Sequence, residues 1–140
     1  MTDYARPLPK VTDETMPFWE GCKSHELKIQ RCASCAQFRF PPQKMCRHCN
    51  SVEAHWDAVS GRGSVYSFTI PSQPSPGELP ARGFDYPFAV VLVELEGTGG
   101  IRIASNMVEC SIEDIEIGMP VEVAFEQVTE EVTLPKFRPA

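Results

Sequence analysis

Two pairs of cysteines constrain this chain more than anything else in it: Cys32 and Cys35, then Cys46 and Cys49, each spaced Cys-x-x-Cys, with ten residues between the pairs. Each short loop can deliver two thiolates from one tight turn, so two such loops can close a tetrahedron around a single ion. The connection is shorter than the ~15–20 residues common between such pairs. It is still long enough for a small hairpin that folds one pair back on the other. Four thiolates fill the shell and leave no position for a reacting water, so the expected cofactor is one structural Zn2+ per chain. Iron is the rival ion. Knuckles that hold iron usually place Gly after the second Cys, where the backbone bends close to sulfur. Here Ala36 and Asn50 occupy those places; Asn tolerates a left-handed turn, whereas Ala tolerates it poorly.

Composition sets the frame for the rest. At 140 residues, 42% hydrophobic and 23% charged, the chain reads as one globular domain or two small ones. No stretch approaches the ~18–20 apolar residues of a membrane span, and the N-terminus lacks an apolar signal core. A cytoplasmic protein is therefore expected, in which six cysteines are thiols and metal ligands rather than a disulfide frame. The net charge of -6 opposes a nucleic-acid partner, which would be held mainly through its phosphates. Arg31, Arg39, Lys44 and Arg47 carry no acid between them. They read as a solvated face around an anionic site, because four thiolates on one zinc leave a formal charge of about -2.

The pattern along the chain predicts three units: an extended arm and helix (1–25), a ribbon around the cysteines (26–53) and a β-domain (54–140). Thr15 is a sensible N-cap for a helix over 16–24, because Pro17 then falls in the first turn, where a missing N–H costs nothing. Phe18, Trp19 and Cys22 share one side of it, as a core stripe or as a patch that meets a partner. Residues 26–31 alternate into a strand ending at the first knuckle, and Phe38 and Phe40 alternate after it. So little apolar material cannot hold the ribbon alone, and the metal should supply much of its folding energy. Further on, 54–59 is a short lead-in strand. Five strands follow from Ser64, with Tyr66, Phe68 and Ile70 on one face of the first, and a short helix over 111–115 lies between the third and the fourth. That order suits a five-stranded OB-fold barrel. A Pro/Gly-rich loop at 71–87 is long for a compact domain.

The remaining residues give no catalytic constellation. His48 reads as a solvent-facing knuckle residue rather than a ligand. His25 and His55 have no nucleophile or acid pattern beside them. Cys22 and Cys110 are isolated, as buried thiols that act as small apolar groups are. Gly97 to Gly100 joins two strands, so it is a hairpin turn rather than a phosphate cradle.

An ordered set of motifs carries a resemblance over nearly the whole chain, from about 13 to 139. They are Pro17-Phe18-Trp19-Glu20-Gly21, Arg31-Cys32-x-x-Cys35, Phe40-Pro41-Pro42, Cys46-x-x-Cys49 and Ser60-Gly61-Arg62-Gly63 with Val65-Tyr66-Ser67-Phe68. Ile117-Gly118-Met119-Pro120-Val121 and Pro135-Lys136-Phe137-Arg138-Pro139 complete them. Together they resemble the zinc-ribbon/OB-fold proteins of domain-of-unknown-function family thirty-five. The resemblance implies a mainly β protein with an N-terminal helical segment, a rubredoxin-like ribbon and a C-terminal OB-fold. It also implies a non-catalytic accessory subunit of a thiolase-superfamily enzyme, which completes the complex and helps form the acyl-CoA site or channel. The reaction it implies is the thiolysis of a 3-oxoacyl-CoA such as benzoylsuccinyl-CoA. A stand-alone acyl-CoA-binding or carrier protein is the alternative. Phe18, Trp19, Lys136, Phe137 and Arg138 are the residues expected to touch partner or CoA. Phe137 would anchor in a partner pocket from an exposed, Pro-rich tail, and the two cations would meet acids or a CoA phosphate.

Overall fold

The computed structural model describes residues 4–74, 76–77 and 83–140. Of the expected 71–87 loop, residues 75 and 78–82 lie outside the described residues. After an extended arm, helix α1 (Met16–Lys23) opens at Thr15 with Pro17 in its first turn, as the sequence predicts. The Thr15 hydroxyl caps no helix N–H. It accepts instead from the Thr12 N–H at 3.0 Å, which closes a turn before the helix. Phe18 and Cys22 point inward and are buried, the latter completely.

The ribbon is a three-stranded sheet ordered β2–β1–β3. Strand β1 (Leu27–Cys32) lies between the two-residue β2 (Phe38–Arg39) and β3 (Ala54–Val59). β3 follows β1 from Leu27↔Val59 to Cys32↔Ala54. By hydrogen bonding, the strand grouped with the β-domain in the sequence reading thus belongs to the ribbon sheet. The rungs are local to the metal loops: the last residue of β1 is itself Cys32.

The second sheet contains the five expected strands: β4 (Arg62–Thr69), β5 (Val90–Leu95), β6 (Arg102–Asn106), β7 (Pro120–Gln127) and β8 (Thr133–Pro139), in the order β6–β5–β4–β7–β8. A single 3-10 turn, Ile112–Asp114, lies between β6 and β7. Strand periodicity builds the core, because alternate residues of a strand face one side: Val91, Val93 and Leu95 of β5 are buried, and Val65, Ile103, Val121 and Phe137 meet them. The sheet curls until its outer strands touch at one parallel bridge, Met107↔Phe137, with the Val108 N–H donating to the Phe137 carbonyl at 2.7 Å. The Ser105 hydroxyl donates to the Pro135 carbonyl at 2.6 Å beside it. This is the OB-fold.

The first barrel strand departs from the expected alternation. A bulge shifts its register between Val65 and Ser67, so Val65 enters the core and Tyr66 turns outward, 46% exposed. There the Arg102 guanidinium lies 3.6 Å from the centre of its ring. An extra residue on one strand swaps the faces that a strict period of two would assign.

Ribbon and barrel share one core: Phe18, Cys22, Leu27 and Ile29 pack with Val65, Val91, Val121 and Phe137. The seam is tight at Gly61, between β3 and β4. Its φ is +78°, and a Cβ there would fall 2.4 Å from the Val123 Cγ1 of β7. Its carbonyl accepts from the Val123 N–H at 2.8 Å. Only glycine satisfies both the left-handed turn and the contact.

Candidate metal centre and its surroundings

The two Cys-x-x-Cys loops fold as copies of one local design. In the first, the Cys32 N–H donates to the Gln37 carbonyl and the Ala36 N–H donates back to the Cys32 carbonyl, at 2.9 and 3.0 Å. In the second, Cys46 N–H to Ser51 and Asn50 N–H to Cys46 repeat the pair at 2.8 and 2.9 Å. Ala36 and Asn50 both have φ +64°, the left-handed turn for which the sequence found Ala36 ill suited. The Cys35 N–H points at Cys32 Sγ at 3.5 Å and the His48 N–H at Cys46 Sγ at 3.4 Å.

Folding one loop on the other brings all four sulfurs within 4.8 Å of one another. Cys32–Cys49 and Cys35–Cys46 sulfur separations are both 3.6 Å. A tetrahedron with Zn–S bonds of ~2.3 Å has edges of about 3.8 Å, so the cluster fits one structural zinc ion. Electrostatics supports this. Backbone N–H groups, that of Cys35 first, lower the Cys32 thiol to about 6, and those of Cys49 and His48 lower Cys46. Cys49 is pushed up to about 11: the Ser51 N–H pulls it down but is outweighed by the neighbouring Cys32 sulfur and by burial. Cys35 is also raised, the Gln37 N–H being outweighed by burial and by Cys46. Four sulfurs this close do not all ionise on their own, and a divalent cation removes the conflict.

Residues that the sequence reading gave no role at the metal hold this geometry. Arg31 Nε donates to the Ala36 carbonyl at 2.7 Å, its Nη1 pairs with Asp57 at 3.1 Å, and its guanidinium covers Phe38 at 4.6 Å. It therefore clamps the strained residue of the first knuckle. The Ser34 hydroxyl donates to the Ser51 hydroxyl at 2.9 Å and joins the knuckles. Gln30 Oε1 accepts from Arg39 Nε at 2.7 Å and from the Gln43 N–H at 2.8 Å. The basic run is only in part the solvated face that was expected: Lys44 and Arg47 are exposed, whereas Arg39 is buried and Arg31 half-buried, and these two are structural. A basic side chain within reach of a carbonyl two turns away leaves no pattern in sequence; only the residue type hints at it.

The other expected site residues are placed differently from one another. His48 is exposed beside the knuckle. His25 stacks on Phe125 with ring centres 5.2 Å apart, and His55 is exposed with Nε2 3.4 Å from Asp57. Burial pushes the Cys22 thiol up to about 12, as an inert core thiol should behave. Burial, with Asp114, also raises Cys110. The tail is not an exposed arm: it is β8, paired along β7 from Gln127↔Thr133 to Val121↔Pro139. Phe137 is fully buried in the chain's own core, where apolar contact competes away any outside pocket. Phe18 is likewise core, with Trp19 half-buried against its edge at 4.9 Å. Lys136 is buried and paired to Glu126 at 2.6 Å. Arg138 stays on the surface between Glu122 and Glu109, at 3.1 and 3.3 Å.

A closed tetrathiolate ribbon sharing its core with a five-stranded OB-fold defines a class, the zinc-ribbon/OB-fold proteins. Comparison with known families narrows it. Residues 19–53 match the ChsH2 rubredoxin-like zinc ribbon domain and 56–126 match the ChsH2 C-terminal OB-fold domain. A probable enoyl-CoA hydratase alpha subunit from Thermomonospora curvata is 41% identical over 96% of this chain, which spans 40% of that relative's length. A DUF35 domain-containing scaffold protein from Methanothermobacter thermautotrophicus is 30% identical, over 84% of this chain and 86% of the relative. Among solved structures, a chain of an Ltp2-ChsH2(DUF35) aldolase superposes with a TM-score of 0.81 at 39% identity, covering 94% of this chain and 98% of that one. The chain belongs to this DUF35 family of ChsH2-type zinc-ribbon/OB-fold proteins. Among the described residues, no helix is long and apolar enough to cross a membrane.

Proposed function

We propose that this chain is a non-catalytic accessory subunit of an acyl-CoA-processing enzyme of the thiolase superfamily. It holds the complex together and helps form the channel for the acyl-CoA, in a reaction such as thiolysis of a 3-oxoacyl-CoA in the reducing cytoplasm. One observation carries the reading: the near end-to-end likeness to a chain of an aldolase whose name pairs ChsH2(DUF35) with a second component, Ltp2. The word scaffold in a relative's name and the enoyl-CoA of another support it. The chain's own chemistry is in keeping. Its four clustered sulfurs would fill the shell of one zinc ion and leave no open position for substrate. Of the residues expected at the partner, Trp19 and Arg138 keep surface with which to touch one.

The test is co-expression with a thiolase-like enzyme from the same source, followed by size exclusion and a thiolysis assay with and without this chain. Co-elution, with activity only in the complex, is the expected result. A lone chain that ignores the enzyme and binds acyl-CoA by calorimetry would replace the reading with that of a carrier.

A further inference from the structure

The N-terminal arm crosses to the segment that leads into β5. Arg6 Nε donates to the Gly83 carbonyl at 3.0 Å. The same guanidinium lies 4.1 Å from the centre of the Phe84 ring. Behind Phe84 the rings continue, Phe84 to Phe88 at 4.6 Å and Tyr86 to Phe88 at 5.2 Å. Phe88 donates its N–H to the Pro71 carbonyl at 3.2 Å, which ties this cluster to the chain just beyond β4. Gly83 fits the crossing from the other side. Its φ is +75°, and a Cβ there would fall 2.7 Å from the Arg6 nitrogen and 2.8 Å from the Ala5 carbonyl carbon. A hydrogen bond, a cation on a ring and a backbone approach that admits only glycine thus converge on one point.

Neither the arm nor residues 83–88 belong to a helix or a strand. Neither has a ladder of its own to hold it, so side-chain contacts, together with the Phe88–Pro71 bond, do the ordering. We infer that the N-terminal arm is a strap, in which Arg6 fastens residues 83–88 in place and covers one face of Phe84. The hydrogen bond and the ring contact of this fastening both come from the half-exposed Arg6 side chain, so truncating that one residue removes them together. A cation–π contact and one hydrogen bond at such a site shift a local opening equilibrium by roughly tenfold. Closed, the strap presents the Phe84, Tyr86 and Phe88 rings as a fixed cluster at the start of β5; released, it uncovers apolar ring surface.

The test is hydrogen exchange read by mass spectrometry on the full, zinc-loaded chain. In Arg6→Ala, the Phe88 amide, which donates to the Pro71 carbonyl, should exchange about tenfold faster, with β1 and β7 unchanged. Gly83→Ala should give the same signature by pushing the arm away. A Phe88 amide rate within about twofold of the parent in Arg6→Ala would overturn the strap. So would acceleration spread evenly over β4–β8, or acceleration in Gly83→Ala alone, which would assign the order to the glycine and not to the arm.

Discussion

Ribbon and barrel both hold short strands together, but with different materials. The barrel does it by volume: Val65, Val91, Val93, Val121 and Phe137 are each 1% exposed or less and fill one interior. The ribbon, whose middle strand pairs with one partner of only two residues, does it by directed bonds: the knuckle turns, the Arg31 clamp, the Gln30 bridge and the four sulfurs. Apolar burial is tolerant of detail and intolerant of lost volume. A coordination site has the opposite tolerance, depending on four atoms and the protons on them. The shared core that joins them through Phe18 and Leu27 decides whether the two fail separately or together.

The hardest blow to the contrast is removal of the metal. A chelator, or Cys46→Ser, should abolish stoichiometric zinc and with it a binding free energy on the order of 10 kcal/mol. Exchange protection over 32–53 should collapse while β4–β8 keep theirs. Simultaneous loss in both would show one cooperative unit. The converse experiment is Phe137→Ala, expected to cost about 3–5 kcal/mol in urea unfolding, with one zinc per chain still bound at low denaturant.

Proton chemistry separates the two kinds of cysteine. Metal binding displaces protons from thiols, so zinc affinity should rise with pH. Cys22 behaves oppositely. Its folded value of about 12 lies above that of a free thiol, so its contribution is whole below pH ~8.5 and is lost as pH climbs towards 12, by roughly 1 kcal/mol per pH unit. Unfolding midpoints of Cys22→Ala should start lower than the parent's and fall less steeply between pH 9 and 11; parallel curves would remove the thiol from the account. The smallest expected effect is a gain. Ala36→Gly relieves a left-handed alanine and should strengthen zinc retention by about 1 kcal/mol in competition with a chromophoric chelator. The same change at Asn50 should give only a few tenths.

What was legible in the sequence follows the same division. Cysteine spacing announces a metal site because the ligands are named by their residue type, and the five barrel strands announce themselves by period. The failures are long-range. Nothing local tells that Ala54–Val59 pairs back onto β1 rather than forward into the barrel. A last strand over 131–137 is legible, but its Pro-rich end reads as an exposed tail; β8 instead runs to Pro139 and accepts Pro135 because it has a full ladder on one side only, with β7. Burial of Lys136 runs against the usual cost of burying a cation, and what permits it, Glu126, sits on another strand. The bulge at Tyr66 inverts a face without any Gly or Pro to mark it.

Gly61 leaves no slack between ribbon and barrel. With its backbone flush on Val123, the passage between the two sheets works as a hinge pinned shut, and the molecule behaves as a bracket rather than as two beads on a string. Whatever grips the ribbon also turns the barrel, so orientation set at one end of this small protein is delivered intact at the other.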